Sequence, residues 1–256
     1  MDTLNTILQI PERSLVNKKI TKAFFKRNFD LTSSEKLMLD DVNMVMAIDW
    51  LASISPASTN ISRYQDEQYL FEEVQVISVQ TTEPDFKRNH LKIADLVQKY
   101  IPYPVLLCIY HKDAFVLNTC DKRVNQNDNA RRTIEKRYST ETVSRKDATL
   151  QQQDFMNSLI FTELDKTNLK TYYDSYTQRI VALQAALLSG SFVPRTQSRT
   201  QSDMDKLEKI AALQNEIQIL QNQTKKESQL SLQISLNTQV QLKRRQIEEL
   251  KVLISA

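Results

Sequence analysis

Toward the end of the chain, apolar side chains recur at steps of three and four: Leu207, Ile210, Leu213, Ile217 and Leu220, with polar residues between them. That spacing places them on one helical stripe, the pattern of a coiled-coil seam. A second row, Leu236, Val240, Ile247, Leu250 and Ile254, keeps the same steps around the interrupting Lys243 but is out of phase with the first. A stutter or a hairpin bend is therefore expected between them. The junction, residues 229–236, alternates apolar and polar with period two and would by itself suit a strand; the helical rows on both sides favour helix. A lone helix would leave such a seam in water at roughly 1.5 to 3 kcal/mol per large side chain. The rows must therefore meet the folded-back chain itself, a second copy or another subunit.

Upstream, the period changes repeatedly. After a short first helix, a basic amphipathic segment turns helical by Lys22, and Leu31-Thr32-Ser33-Ser34-Glu35 supplies N-cap hydroxyls and a first-turn acid for a helix to about residue 42. Residues 44–54 read as a strand, residues 56–66 as a polar loop, and residues 70–80, with Val74, Val76 and Val79, as a second strand. Pro84 and Asp85 open a helix through Lys99, with Leu91, Ala94, Leu96 and Val97 on its apolar face, until Ile101-Pro102-Tyr103-Pro104 stops it. Two apolar runs around His111-Lys112-Asp113 predict a β-hairpin, followed by a strand over 133–143 and helices over 150–164 and 168–188. Gly190 stands where a helix needs a left-handed terminating residue. The expected architecture is α+β: a mixed-sheet α/β domain over residues 1–190, a linker over 191–202 and a helical coiled-coil tail over 203–256.

Composition narrows the chemistry. One glycine in 256 residues, against a usual share of about 7%, leaves no phosphate-cradling loop and no dinucleotide turn. It also weighs against strained nucleophile elbows. With only His90, His111, Cys108 and Cys120, a structural zinc would need every one of them, and their spacing resembles no zinc knuckle. Neither a metal nor a cofactor is expected. Pairing Tyr110 with Ala114 would offset the two sulfurs by about 13 Å along the strands, so free thiols are expected. The formal charge of +3 demands no polyanionic partner. An acid at position 2 and the lack of an uninterrupted apolar run of spanning length point to a cytoplasmic protein with no membrane association.

Two residue sets remain as candidates. The first is a degenerate nuclease site in which Asp49 and Glu73 are metal-binding acids and Gln75 takes a lysine position, sharing a strand face with Glu73 because the side-chain period is two. The second is a basic group, Lys122, Arg123, Arg131, Arg132, Lys136 and Arg137, that could neutralise nucleic-acid phosphates, with Arg132 and Lys136 forming a stripe if they share one face. Arg145 and Lys146 extend it. Trp50, Tyr64, Tyr69, Tyr100 and Tyr103 could stack on bases but lack the interleaved motif of an RNA-binding module.

The segment Pro11-Glu12-Arg13-Ser14-Leu15-Val16-Asn17-Lys18-Lys19-Ile20, the Glu72-Glu73-Val74-Gln75-Val76 strand, Lys122-Arg123, and Lys225-Lys226-Glu227-Ser228-Gln229 with Leu236-Asn237 together resemble the domain of unknown function 4391 family over nearly the whole chain. The resemblance implies a setting more than a reaction: bacterial proteins encoded beside helicase and DNA methyltransferase genes of restriction-modification-like, phage-defence loci. It leads to the expectation of a non-catalytic accessory or assembly subunit. Its partners would be helicase or DNA methyltransferase subunits and, as a further candidate, DNA, with the tail making a homo- or hetero-oligomer. The alternatives are a metal-dependent nuclease of the restriction-endonuclease-like fold and a purely structural self-associating protein.

Overall fold

The computed structural model describes residues 2–125 and 128–255, without the side chains of residues 2, 3 and 128–131. Contacts divide the chain into two compact units, residues 1–180 and 181–256. Among the described residues the strands are β1 (Leu15–Lys19), β2 (Ala47–Ile54), β3 (Tyr64–Gln65), β4 (Leu70–Phe71), β5 (Val74–Gln80), β6 (Val105–His111), β7 (Ala114–Asn125), β8 (Asp128–Ser139) and β9 (Val143–Ser144). The helices are α1 (Asp2–Leu8), α2 (Lys22–Asn28), α3 (Ser33–Asp40), α4 (Pro56–Thr59), α5 (Glu83–Tyr100), α6 (Leu150–Ser158), α7 (Leu169–Ser189), α8 (Gln197–Lys226) and α9 (Leu230–Ser255).

The first unit is built on one mixed sheet of order β1-β2-β5-β6-β7-β8, with β9 also pairing with β7, while β3 and β4 form a separate pair. Every pair in the large sheet is antiparallel except β5 with β6, which are parallel and joined through α5. The near-complete burial of β5 and the apolar run of β6 suit the middle of a sheet covered on both faces. Lys18 and Lys19 mark β1 as an edge, where charge discourages pairing with another chain. On one face, Ile48, Ile77, Val79, Leu107, Ile109 and Val116 pack with Phe25 of α2, Leu39 of α3 and the Phe86, Ile93, Ala94 and Val97 side of α5. On the other face, the Tyr173 hydroxyl of α7 accepts from Cys120 N at 2.9 Å, and Thr119 and Thr177 share a hydrogen bond of 2.9 Å.

Local signals explain most boundaries. Thr32 and Glu35 close the expected capping box on α3. The strand β1 was not expected from the sequence, where Lys18 and Lys19 read as part of a basic segment entering a helix. The hairpin turns more tightly than expected: Tyr110 pairs with Phe115 and His111 with Ala114, leaving Lys112 and Asp113 as the turn, with Lys112 at φ 50. Cys108 therefore faces Leu117, one position from the expected register. Both cysteines are free and buried, and burial pushes their thiols up to about 12 for Cys108 and about 11 for Cys120.

The second unit holds the end of α7, from Val181, with α8 and α9. Gly190 has φ +83 and its N–H reaches Ala186 O at 2.8 Å, so it terminates α7 as expected. Thr196 caps α8, whose helix therefore begins inside the segment expected to be a linker. The bend falls at residues 227–229, and α8 and α9 run antiparallel, with Lys243 of α9 paired to Glu216 of α8. Ile210, Leu213, Ile247 and Ile254 are buried together with Ala185, and Leu207, Ile217 and Leu250 pack against them. Val240 is buried as well, with Leu220 and Leu236 half-buried. The two predicted rows thus bury against each other within one chain, so the seam does not itself require a second copy.

Candidate functional site

The glutamate and glutamine singled out from the sequence stand at the start of β5 and line a pocket of about 240 Å³. Gln75 is buried and pairs across the sheet with Ser53 of β2. A bulge between Trp50 and Ala52 sets the geometry. In a regular strand, residues three apart point to opposite faces; the extra residue Leu51 lets Trp50, opposite Ile77, and Ser53, opposite Gln75, point to the same one.

These side chains form a chain of hydrogen bonds. The Trp50 indole Nε1 donates to Gln75 Oε1 at 2.7 Å and to Ala52 O at 3.1 Å. Gln75 Nε2 donates to Glu73 Oε2 at 2.8 Å and to Ser53 Oγ at 3.3 Å, and Ser53 Oγ donates to Glu73 Oε2 at 2.8 Å. Every polar atom of Gln75 is thereby used, as burial demands. Oxygen Oε2 of Glu73 takes both bonds, and no bond or ion pair among the described residues reaches Oε1. Around this carboxylate the pocket walls are apolar and aromatic: Phe24 and Phe29 of the α2 segment, Trp50, and Pro102 and Tyr103 of the loop after α5.

Asp49 does not join it. It pairs with Ser78, five residues, roughly 17 Å, along β5 from Glu73, and the bulge turns it to the opposite face. The two acids proposed as metal ligands are therefore not brought together. Asp49 is buried, and its Oδ1 has no hydrogen-bond partner. Among the described residues, no group of three or more His, Cys, Asp or Glu side chains is arranged to hold a metal ion. His90 and His111 each place Nδ1 against a backbone carbonyl, of Phe86 and Thr81.

The basic candidates are largely committed within the fold. Lys122 is 5% exposed, and its ammonium donates to Ile101 O at 2.7 Å and Tyr103 O at 2.8 Å, fastening the loop that walls the pocket. Burial lowers its pKa to about 8. Arg123 pairs with Glu135 at 3.3 Å and Arg137 with Asp95 of α5 at 2.6 Å. Arg132 lies opposite Val124 and Lys136 opposite Asp121; the bulge between Asp121 and Lys122 puts them on opposite faces, so the expected stripe does not form. Lys136 lies over the Tyr138 ring at 5.9 Å, and the side chain of Arg131 lies outside the described residues. Arg145 bonds Lys112 O and pairs with Asp113.

The aromatic candidates scatter. Trp50 and Tyr103 meet in the pocket, whereas the hydroxyls of Tyr64, Tyr69 and Tyr100 donate to Asp66, Glu135 and Glu35. Ser53, Phe24 and Phe29 had no sequence signal, because only the bulge and the packing of α2 bring them beside Glu73.

No helix among the described residues is long and apolar enough to cross a membrane. No curated protein and no solved structure matches the chain. The family described as a domain of unknown function (DUF4391) matches residues 8–247, and the chain belongs to that family.

Proposed function

We propose that the protein is a non-catalytic assembly subunit of a cytoplasmic DNA-modification or phage-defence complex, holding a helicase or DNA methyltransferase partner. The observation that carries this reading is an exposed apolar face at the start of α9, just after the bend of the helical hairpin. There Leu230 and Ile234 are 70% and 58% exposed, although the seam of the hairpin is satisfied. The two stand one turn apart on α9, the spacing that presents two side chains to one partner surface. Leaving two large apolar side chains side by side in water suits an interaction site better than a free surface. Separation of Asp49 from Glu73, and a glutamine where a lysine would be needed, argue against the nuclease alternative. Two buried free thiols suit a reducing compartment.

The test is affinity purification of the tagged full chain from its host, beside the double variant Leu230→Ser, Ile234→Ser. The wild type is expected to retain a helicase or methyltransferase subunit that the variant loses, with both chains equally folded by circular dichroism. A wild type that elutes alone, or magnesium-dependent DNA cleavage abolished by Glu73→Ala, would overturn the reading.

A further inference from the structure

We infer that the Glu73 pocket receives an arginine side chain of a protein partner. This inference rests on the assembly reading above, and supplies the recognition chemistry for the α/β unit. A carboxyl group with one oxygen held by Ser53 and Gln75, and the other without a hydrogen bond or ion pair among the described residues, is oriented to accept from a cationic donor. It stands in a pocket walled by Phe24, Phe29, Trp50 and Tyr103. Aromatic faces attract cations, and a planar guanidinium can stack on a ring while still donating to a carboxylate oxygen. The long apolar stem of arginine suits the Pro102 and Ile20 walls.

Two structural devices hold the pocket ready. The Trp50–Gln75 bond fixes one wall and orients the carboxamide that steadies Glu73. Lys122 pins the carbonyls of Ile101 and Tyr103, so the opposite wall is tied down without placing its own ammonium on Glu73. Phe24 is 46% exposed at the rim, where an incoming side chain would cover it.

Trp50 is the single tryptophan of the chain and lines the pocket, so its emission reports occupancy directly. The full chain would be titrated with a capped Ala-Arg-Ala tripeptide and with its citrulline counterpart, a neutral molecule of the same shape. A saturable change with the arginine peptide is expected, with binding of the citrulline peptide weaker by about tenfold, the loss of one charge-assisted hydrogen bond. Glu73→Gln should remove that selectivity. Phe24→Ala, a change at an exposed rim position, should weaken the arginine peptide roughly fivefold, in the range of an exposed cation–π contact. Equal response to both peptides, no saturable response, or selectivity that survives Glu73→Gln would overturn the inference. Selective binding by a chain that retains no partner from its host would overturn the assembly reading alone; partner retention without selective binding would overturn the pocket inference alone.

Discussion

Lys122 shows how a residue that reads as surface charge can be a structural bolt. Its neighbour Arg123 and the basic β8 strand make it look like part of a phosphate-binding face, yet its ammonium serves two loop carbonyls. Lys122→Ala should leave those acceptors unsatisfied and cost about 3 kcal/mol, from desolvation penalties of roughly 1 to 3 kcal/mol per orphaned group, measured by urea unfolding. The same residue sets a pH dependence. Its folded pKa of about 8 lies below the ordinary 10.5, so between those values the unfolded chain holds more protons. Stability contributed by this group should rise as pH climbs from about 8 to 10.5, and the rise should be absent in Lys122→Met. Glu35 acts in the acid range: burial alone would raise its pKa, but bonds from Lys99, Thr32 and Tyr100 bring it down to about 2. Its contribution is present above the ordinary value of 4.5 and is lost as pH falls toward 2; Glu35→Gln should flatten unfolding curves there.

At the scale of elements, the hairpin is closed by a charge cluster as well as by its seam. Asp203 of α8 is fully buried, within 3.2 Å of Arg195 Nε, 3.1 Å of Arg199 Nε and 3.4 Å of Lys206 Nζ. The two arginines also donate from Nη2 to Ile254 O, at 3.1 Å each, at the C-terminal end of α9, where carbonyls lack helical partners. Asp203→Ala would leave three partly buried cations beside one another without their counter-charge and should cost about 2 kcal/mol, seen as a lowered Tm. Ile247→Ala should cost a similar amount, about 3 kcal/mol, through the cavity it leaves in the seam. The β2 bulge matters equally: it puts Ser53 on the same face as Trp50, where its hydroxyl reaches Glu73.

For the whole molecule, a net charge of +3 combined with internally paired arginines makes tight electrostatic binding to duplex DNA unexpected. Arg123→Ala with Arg137→Ala should change the salt dependence of any DNA retention by less than about one released counterion each, measured by binding at several salt concentrations. A steeper loss would show those ion pairs opening to phosphates.

Much is legible in the sequence alone, because it depends on local chemistry. The α3 capping box, the Gly190 terminator, the valines of β5, the apolar run of β6 and the spacing of the two tail rows all rest on contacts within a few residues or on a simple period. Sequence also placed Glu73 and Gln75 on one strand face, since a period of two requires it. Tertiary structure decided everything that depended on which strand lies beside which, and in what register. An unmarked bulge reversed the face of Asp49, another split Arg132 from Lys136, and the bend after Lys226 turned two unmatched apolar rows into each other's cover. Lys122 reads as a phosphate-binding candidate because nothing in its neighbours reveals a loop twenty residues away; only folding brings those carbonyls to its ammonium.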